Sequence, residues 1–490
     1  MSSPGRPKGE YRSAQREGTP MSRWCVLGAT LLIGGCMVGP DYLRPAVDVP
    51  AAYPGAASEA GPFSAPRIDW WTLFDDAELN ALVTVALANN TDVQRAIARI
   101  EEADANLRAV GASLYPDVDL NGAAIRSRSS FAVASPPAPG TPSVKNDIRL
   151  ALSASFEIDF WGKLRRGVEA AQAQALGSRY SKEVVTLSLA SLTTQTYFSL
   201  RSLDAQVATT RNTLATRSDG LSLVRRRVDA GYASDLDLRQ AEGATTDASA
   251  QLKELLRQRA LAEHLLGVLT GKLDLVVPPG DIARLPQPAL PPPGLPSNLL
   301  ERRPDVRVAE QNLIAQNALI GVAVAQQFPT ISLTGNFGGQ SAALSSLFSG
   351  PGRIWAAGTG LTTPIFDAGK LAALADAERA RYKQALATYE QTIQTSFRDV
   401  ADALNNVSQF AATETDLQAS VNSAREALRL ANRRYAAGYS GYLEVLDSQR
   451  TANVSELLLI RNRQALLGAD VDLMTALGGG WQPAATTAAK

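Results

Sequence analysis

Residues 152–160 read LSASFEIDF and lead directly into Trp161-Gly162-Lys163. Apolar side chains stand at every second position and small or acidic ones between them, which is the pattern of a β-strand with one apolar and one wet face. The following residues, 162–277, contain no proline and are rich in Ala, Leu, Gln, Arg and Glu. Apolar positions recur there at spacings of three and four, which indicates helix. A half-apolar strand leading into a very long helix therefore decides the fold.

The first uninterrupted helix, predicted over residues 164–229, would be about 100 Å long at ~1.5 Å per residue, a length that no globular domain needs. Its pattern breaks at residues 230–232, and a second long pattern breaks at residues 437–441. Glycine after the last periodic residue is a typical helix stop. We expect two helical hairpins with tips at Gly231, Tyr232, Gly438 and Tyr439.

The two halves of the chain repeat the same order of parts. Gly231-Tyr232 returns as Gly438-Tyr439 after 207 positions, and Tyr115-Pro116 returns as Phe328-Pro329 after 213. The extra six positions fall where the first half carries the Ser/Pro-rich residues 129–143, so an enlarged loop is expected there. The pattern predicts two internal structural repeats.

Four segments alternate with the period of a strand, at residues 114–131, 147–160, 328–344 and 354–366. In lipid, the unpaired N–H and C=O groups at the edges of a four-stranded sheet would be costly, so copies of the chain would have to pair their edges until a barrel closes. The alternative is a soluble α+β protein whose strands pack against helices.

The N-terminal part resembles a lipoprotein signal. An apolar run at residues 24–33, behind Arg23, ends in Gly34-Gly35-Cys36. It is too short for a bilayer core, which needs about 20 residues, and fits a signal peptide. Cleavage before Cys36 would leave a cysteine that carries acyl lipid, and Met37 after it favours the outer membrane. The alternative is an apolar run that ends in cysteine by chance.

The expected segments follow from these boundaries. They are a signal peptide (1–35, with translation expected to start at Met21), a lipidated N-terminal segment (36–66), repeat 1 (67–275), a Pro-rich linker (276–297), repeat 2 (298–480) and a C-terminal tail (481–490).

Composition excludes several functional classes. The 490 residues carry 48 basic and 48 acidic side chains and show no basic stripe with interleaved aromatics, so nucleic acid is not an expected partner. The single histidine, His264, lies in a helical stretch, and no His/Cys cluster predicts a metal. Residues 267–272 are one position short of a phosphate-binding loop. We expect no cofactor and no catalysis.

Several motifs carry a family resemblance when taken in order. They are Cys36 with Gly39-Pro40-Asp41-Tyr42, residues 70–79 (WWTLFDDAEL), Phe160-Trp161-Gly162-Lys163 and residues 442–450 (YLEVLDSQR). In this order, on two repeated halves, the chain resembles the TolC-like outer membrane factors, of the OprM and NodT lipoprotein type. The resemblance spans nearly all of the chain after Cys36.

The resemblance implies a mainly α-helical homotrimer anchored in the outer membrane. Four strands per chain would form one twelve-stranded membrane β-barrel, continued by a long periplasmic α-helical barrel. Such a duct conducts passively and works with a periplasmic adaptor and an inner-membrane pump of the resistance-nodulation-division (RND) type.

Four residues after the second tip match the family's periplasmic gate. Leu443, Asp447 and Arg450 are separated by four and three positions and share one helix face. By resemblance, three Leu443 side chains would close the mouth, and Asp447 and Glu444 would supply carboxylates. Arg450 would hold Asp447 or a neighbouring helix in the shut arrangement. The alternative is an exposed Asp447–Arg450 pair without a gating role.

The offset of 207 maps these gate positions onto Leu236, Asp237, Gln240 and Gly243, so the first hairpin lacks the distal acid and the arginine. Only the second hairpin is expected to open. The tip glycines and tyrosines are expected to contact adaptor hairpins, or alternatively only to make the turns.

Two other functions remain open from the residues. One is the outer membrane duct of a type I protein secretion system, and the other is a lipid-tethered periplasmic coiled-coil scaffold.

Overall fold

The computed structural model describes residues 1–2, 37–48, 50, 53, 67–130, 132, 138, 140, 142–290 and 299–481. Cys36, and with it the predicted lipidation, lies outside the described residues. Residues 291–297 of the predicted linker, residue 298 at the start of the predicted second repeat, and residues 482–490 of the predicted tail also lie outside them.

The described residues are mainly helical and contain one sheet. In the first half the elements are α1 (Ala77–Asn89), α2 (Thr91–Ala112), β1 (Asp117–Arg128), β2 (Val144–Ile158), α3 (Lys163–Asp229) and α4 (Asp235–Thr270). In the second half they are α5 (Leu299–Arg302), α6 (Pro304–Ala325), β3 (Thr330–Ser341), β4 (Arg353–Thr362), α7 (Lys370–Ala436) and α8 (Tyr442–Ala476). The order helix, two strands, long helical hairpin therefore occurs twice.

The chain forms two compact units. The sheet unit comprises Met1–Pro40, Ser113–Arg166 and Gly321–Ala375, and the helical unit comprises Asp41–Ala112, Gly167–Ile320 and Asp376–Lys490.

The sheet unit contains the four predicted strands, which are confirmed with ends that differ by one to four residues. All neighbours are antiparallel, in the order β1-β2-β3-β4. The register pairs Leu120 with Leu152, Leu152 with Phe337 and Phe337 with Trp355, which makes an apolar row across one face. These four side chains are exposed, whereas apolar strand residues of a soluble α+β protein are buried. Within the described residues, helices therefore do not cover this row in the way that the soluble α+β alternative requires.

The opposite face of the sheet is polar. Asn121 Nδ2 donates to Ser153 Oγ at 2.6 Å, and Gln340 Nε2 donates to Asp147 Oδ1 at 2.7 Å. β1 and β4 are the two edge strands, and within the described residues each is paired on one side only.

An aspartate caps each of the two 67-residue helices. Asp159 accepts hydrogen bonds from the N–H groups of Leu164 at 3.0 Å and Arg165 at 2.9 Å. Asp367 accepts from Gly369 and Leu371, both at 2.9 Å. A carboxylate at this position satisfies N–H groups that the first helical turn leaves free, and it opposes the positive end of the helix dipole.

Both predicted hairpins are confirmed in the helical unit, as α3–α4 and α7–α8. Gly231 has φ +77° and Gly438 has φ +79°, which is the left-handed conformation that glycine adopts without strain. The next amide in each turn reaches back into the helix, since Tyr232 N donates to Arg227 O at 2.7 Å and Tyr439 N donates to Arg434 O at 2.9 Å. The two turns therefore have matching geometry.

The largest core cluster of the helical unit lies away from these tips. It buries Trp70 and Phe74 of a short 3-10 helix against Tyr197 and Phe198 of α3, and against Leu467 of α8. Tyr197 Oη also donates to Asp76 Oδ2 at 2.7 Å. Among the described residues, no helix is both long enough and apolar enough to span a membrane.

The described part of the linker is extended but firmly bound to the hairpin. Its backbone between residues 277 and 280 is held by four charged side chains of α3 and α4. The contacts are Arg201 Nη1 to Pro278 O at 2.5 Å, Arg259 Nη2 to Val277 O at 2.7 Å, Val277 N to Glu263 Oε1 at 2.8 Å and Gly280 N to Asp204 Oδ2 at 2.9 Å. These contacts tie the linker to the helices α3 and α4.

One carboxylate in the helical unit is buried with only partial compensation. Asp470 of α8 is fully buried, and the neighbouring Gln287 and Arg463 only partly offset the cost of burying its charge. Burial raises the pKa of Asp470 from 3.8 to about 7. Because the folded chain holds this proton more tightly than the unfolded chain, Asp470 lowers stability as pH rises from about 4 to about 7.

We predict that Asp470→Asn stabilises the protein above about pH 7, because the amide needs no proton to stay neutral. The shift sets an upper bound of about 4 kcal/mol on the gain. Thermal unfolding at about pH 8 and about pH 5 should show a larger gain at the higher pH. The control is Asp416→Asn, at an exposed acid of α7. An Asp470→Asn effect that is the same at both pH values would contradict the assignment.

Candidate functional site at the hairpin tips

The four long helices meet at the tips in a small apolar core, which we call the tip cluster. It consists of the buried residues Val224 of α3, Ala241 of α4, Ala431 of α7, and Tyr442 and Val445 of α8. Each helix supplies at least one member. The first and second hairpins are therefore packed against each other close to where each one turns.

The predicted gate residues lie on α8 just outside this cluster. Arg450 Nη2 donates to Asp447 Oδ1 at 2.6 Å, and both side chains are exposed. Leu443 is 61% exposed and lies one turn before Asp447 on the same face. The structure thus brings the predicted acid and arginine together and leaves the leucine uncovered within the chain.

Glu444 has a partner that sequence reasoning missed. Arg434 Nε of α7 lies 3.2 Å from Glu444 Oε1, so the ion pair joins the end of α7 to the start of α8. The signal that could have found it is Arg433-Arg434 in the last turn of α7, where cations oppose the negative end of the helix dipole.

The two tips differ in how the returning helix begins. α4 starts with a capping box, in which Ser234 Oγ accepts from Asp237 N at 3.2 Å and Asp237 Oδ2 accepts from Ser234 N at 3.2 Å. α8 starts after Gly441, which has no side chain to cap it. Asp237, the counterpart of Glu444, therefore caps the start of α4, whereas Glu444 forms an ion pair with Arg434 across the turn.

The tip residues proposed for adaptor contact are accessible. Tyr232 is 84% exposed and Tyr439 is 81% exposed, and each follows its left-handed glycine. The adaptor contact itself stays a prediction.

Tyr442 and Gly220 are the main residues of this site that the sequence did not reveal. The Tyr442 ring is buried against Gly220 of α3, where an added Cβ would lie 2.7 Å from Tyr442 Oη. Within the described residues Tyr442 Oη has no hydrogen-bond partner, and burial raises the pKa of this tyrosine. A glycine inside a long helix was the available signal, since it is unfavourable there unless something packs closely against it.

A second aromatic extends this contact. The Tyr435 ring centroid lies 5.3 Å from that of Tyr442, and the Arg227 guanidinium lies 4.5 Å from the Tyr435 ring centroid. The successive contacts between Arg227, Tyr435 and Tyr442 join α3, α7 and α8. In the part of the chain that the structure describes, no group of three or more His, Cys, Asp or Glu side chains could hold a metal ion.

Comparison with known proteins identifies the family. The chain matches the outer membrane efflux protein family over residues 82–272 and again over residues 295–479, which together are more than half of its length. It belongs to this family.

The relatives share nearly the full length. Outer membrane protein OprJ of Pseudomonas aeruginosa is 38% identical over 456 residues, which cover 92% of this chain and 94% of OprJ. The toluene efflux pump outer membrane protein TtgC of Pseudomonas putida is 34% identical over 462 residues, with 92% and 94% covered. The crystal structure of the Campylobacter jejuni CmeC outer membrane channel superposes with a TM-score of 0.83 at 26% identity, covering 91% of this chain and 96% of CmeC.

The close contact between Gly220 and Tyr442 predicts how substitutions at these two residues affect the tip cluster. Gly220→Ala should loosen the tips, by about 1–3 kcal/mol, because its methyl group collides with the Tyr442 hydroxyl. Tyr442→Phe should be nearly neutral, because it removes a buried hydroxyl without a partner. In the double variant the clash disappears, since the Cβ would lie 3.7 Å from ring atom Cζ.

Hydrogen–deuterium exchange of the tip amides measures how strongly each variant loosens the tips. We expect faster exchange at the tips of Gly220→Ala, and wild-type protection in Tyr442→Phe and in the double variant. If the double variant exchanges as fast as Gly220→Ala, collision with the Tyr442 hydroxyl is not what loosens the tips.

Proposed function

We propose that this protein is the outer membrane exit duct of a tripartite efflux system and conducts substrates passively. The observation that carries the proposal is the sheet, which has an exposed apolar row on one face, a polar opposite face and two edge strands paired on one side only. Such a sheet is unsuited to water on its apolar face and unsuited to lipid along its edges.

Pairing between copies resolves both problems. An antiparallel sheet of four strands has edge strands of opposite direction, so β4 of one copy can pair with β1 of the next in the same antiparallel manner. Three copies would give the proposed twelve-stranded barrel, with the apolar row towards lipid and the polar face towards the lumen. The assembly is then a homotrimer.

The long hairpins would build the periplasmic helical barrel. The proposed internal repeat is supported by the same order of elements in each half and by two successive matches to one family. Each chain would then contribute two hairpins of similar length to the wall of the duct.

The second hairpin is the proposed gate. Three Leu443 side chains would close the mouth, with the carboxylates of Asp447 and Glu444 beside them. The Asp447–Arg450 and Glu444–Arg434 pairs would hold the shut arrangement. Support comes from the exposure of Leu443 and from the uncapped start of α8, which leaves this helix less tied than α4. Gly231, Tyr232, Gly438 and Tyr439 would receive the adaptor.

The proposed setting follows from the relatives. Their names place them in the outer membrane, and TtgC is named as part of an efflux pump, which favours efflux over type I secretion. We propose a periplasmic adaptor and an RND-type inner-membrane pump as partners, and an acyl anchor on Cys36. The role requires no catalysis, cofactor, metal or nucleic acid.

Single-channel conductance of the mature protein in planar bilayers tests duct and gate together. We predict low, mostly closed conductance for the wild type and a several-fold rise for Leu443→Ala/Asp447→Ala. The matched control is Leu236→Ala/Gln240→Ala, at the corresponding positions of the first hairpin, which should behave as wild type. Silence from all three proteins in bilayers that incorporate them would refute the duct and favour the tethered scaffold.

A further inference from the structure

The end of the sheet where β1 leads to β2, and β3 to β4, is strongly cationic. Residues 126–149 and 339–353 contain Arg126, Arg128, Lys145, Arg149 and Arg353, but only one acidic residue, Asp147. The two connecting loops, residues 129–143 and 342–352, contain no charged residue at all. Positive charge at this end therefore has almost no compensation from the chain itself.

The register places three of these cations on the apolar face. Arg126 and Arg128 are separated from Leu120 by an even number of residues along β1, so they share its face of the sheet. Arg353 is two residues from Trp355 on β4 and shares its face in the same way. Leu120 and Trp355 belong to the apolar row. The two other cations, Lys145 and Arg149, share the opposite, polar face with Asp147.

The three arginines on the apolar face are free to bind a ligand. Arg126, Arg128 and Arg353 are exposed, and within the described residues none of them has an ion-pair or hydrogen-bond partner. Asp147 lies on the other face and is engaged by Gln340 at 2.7 Å. An arginine on an apolar surface without any counter-charge calls for an anion from outside the chain.

Aromatic residues indicate the depth of these arginines in a membrane. Trp355 is 76% exposed and pairs across the strands with Phe337, which is 63% exposed. Exposed aromatics on a lipid-facing sheet concentrate at the interface between hydrocarbon and headgroups. Arg353 lies two residues nearer the loops, about 7 Å further along the strand. Its guanidinium is thus placed at the level of the headgroups.

We propose that Arg126, Arg128 and Arg353 bind the phosphate groups of anionic lipid in the outer leaflet. The inference rests on the proposed function, because it requires the apolar row to face lipid. A guanidinium offers a planar pair of N–H donors that match phosphate oxygens, so arginine suits this ligand.

The location of the site follows from the edges. Arg126 and Arg128 lie on β1 and Arg353 lies on β4, which are the two edge strands. When β4 of one copy pairs with β1 of the next, the arginines of two copies face the same seam. A lipid phosphate bound there would neutralise the positive charge of the arginines from both copies. It would therefore favour closure of the barrel.

Titration of the full mature protein with lipid A, a glycolipid that bears two phosphates, tests the site. Native mass spectrometry in detergent would compare the wild type with Arg126→Gln/Arg128→Gln and with Arg353→Gln. We expect the double variant to bind lipid A about tenfold more weakly or worse, and Arg353→Gln about fivefold more weakly. The matched control is Lys145→Gln/Arg149→Gln, which removes the same charge from the polar face and should bind as wild type.

Competing explanations give different results. Wild-type affinity in both apolar-face variants would overturn the proposal, as would an equal loss in the polar-face control, which would indicate only a general charge effect. Displacement of lipid A by an equal concentration of inorganic phosphate would show a site for free phosphate instead. Conductance of the same preparations separates the two proposals, because a conducting channel without selective lipid binding refutes only this one.

Discussion

The backbone hydrogen bonds of β1 and β4 are the constraint on which the rest depends. Each edge strand offers a row of N–H and C=O groups beside an exposed apolar face, and no rearrangement inside one chain of four strands can satisfy both. The pairing between copies in lipid that we propose would satisfy the edges and cover the apolar face. The even number of strands makes this pairing possible, because the two edges run in opposite directions.

The long helices α3 and α7 are stabilised differently from the sheet. α3 and α7 are too long to draw their stability from one globular core, so they are secured locally. Asp159 and Asp367 cap their starts, and left-handed glycines at residues 231 and 438 reverse the chain at their far ends. The linker is bound to α3 by Arg201 and neighbouring side chains. This attachment is distant in sequence from the hairpin tips. Charged side chains here organise the backbone, and the burial of Arg201 and Asp204 is tolerated because they are paired.

The two hairpin tips differ in how the returning helix is held. The turns have the same geometry, yet α4 begins with a capping box and α8 begins after a glycine. The second hairpin is instead fastened by side-chain contacts, namely the Glu444–Arg434 pair and the Tyr442 ring against Gly220. Contacts of this kind can be broken one at a time, whereas a capping box is part of the helix itself. The asymmetry is consistent with movement confined to the second hairpin.

The four strands, the two long hairpins and the asymmetry between the tips could all be predicted from the sequence, because periodicity, proline spacing and turn glycines act locally. The sequence also identified Asp447 and Arg450 as neighbours, since their spacing along one helix suffices. Only the tertiary structure decided which residues of different helices meet. Arg434 reaches Glu444, the Tyr442 ring packs against Gly220, and Asp470 is fully buried. Such contacts depend on how helices that are distant in sequence pack, and side-chain packing leaves no periodic trace in the chain.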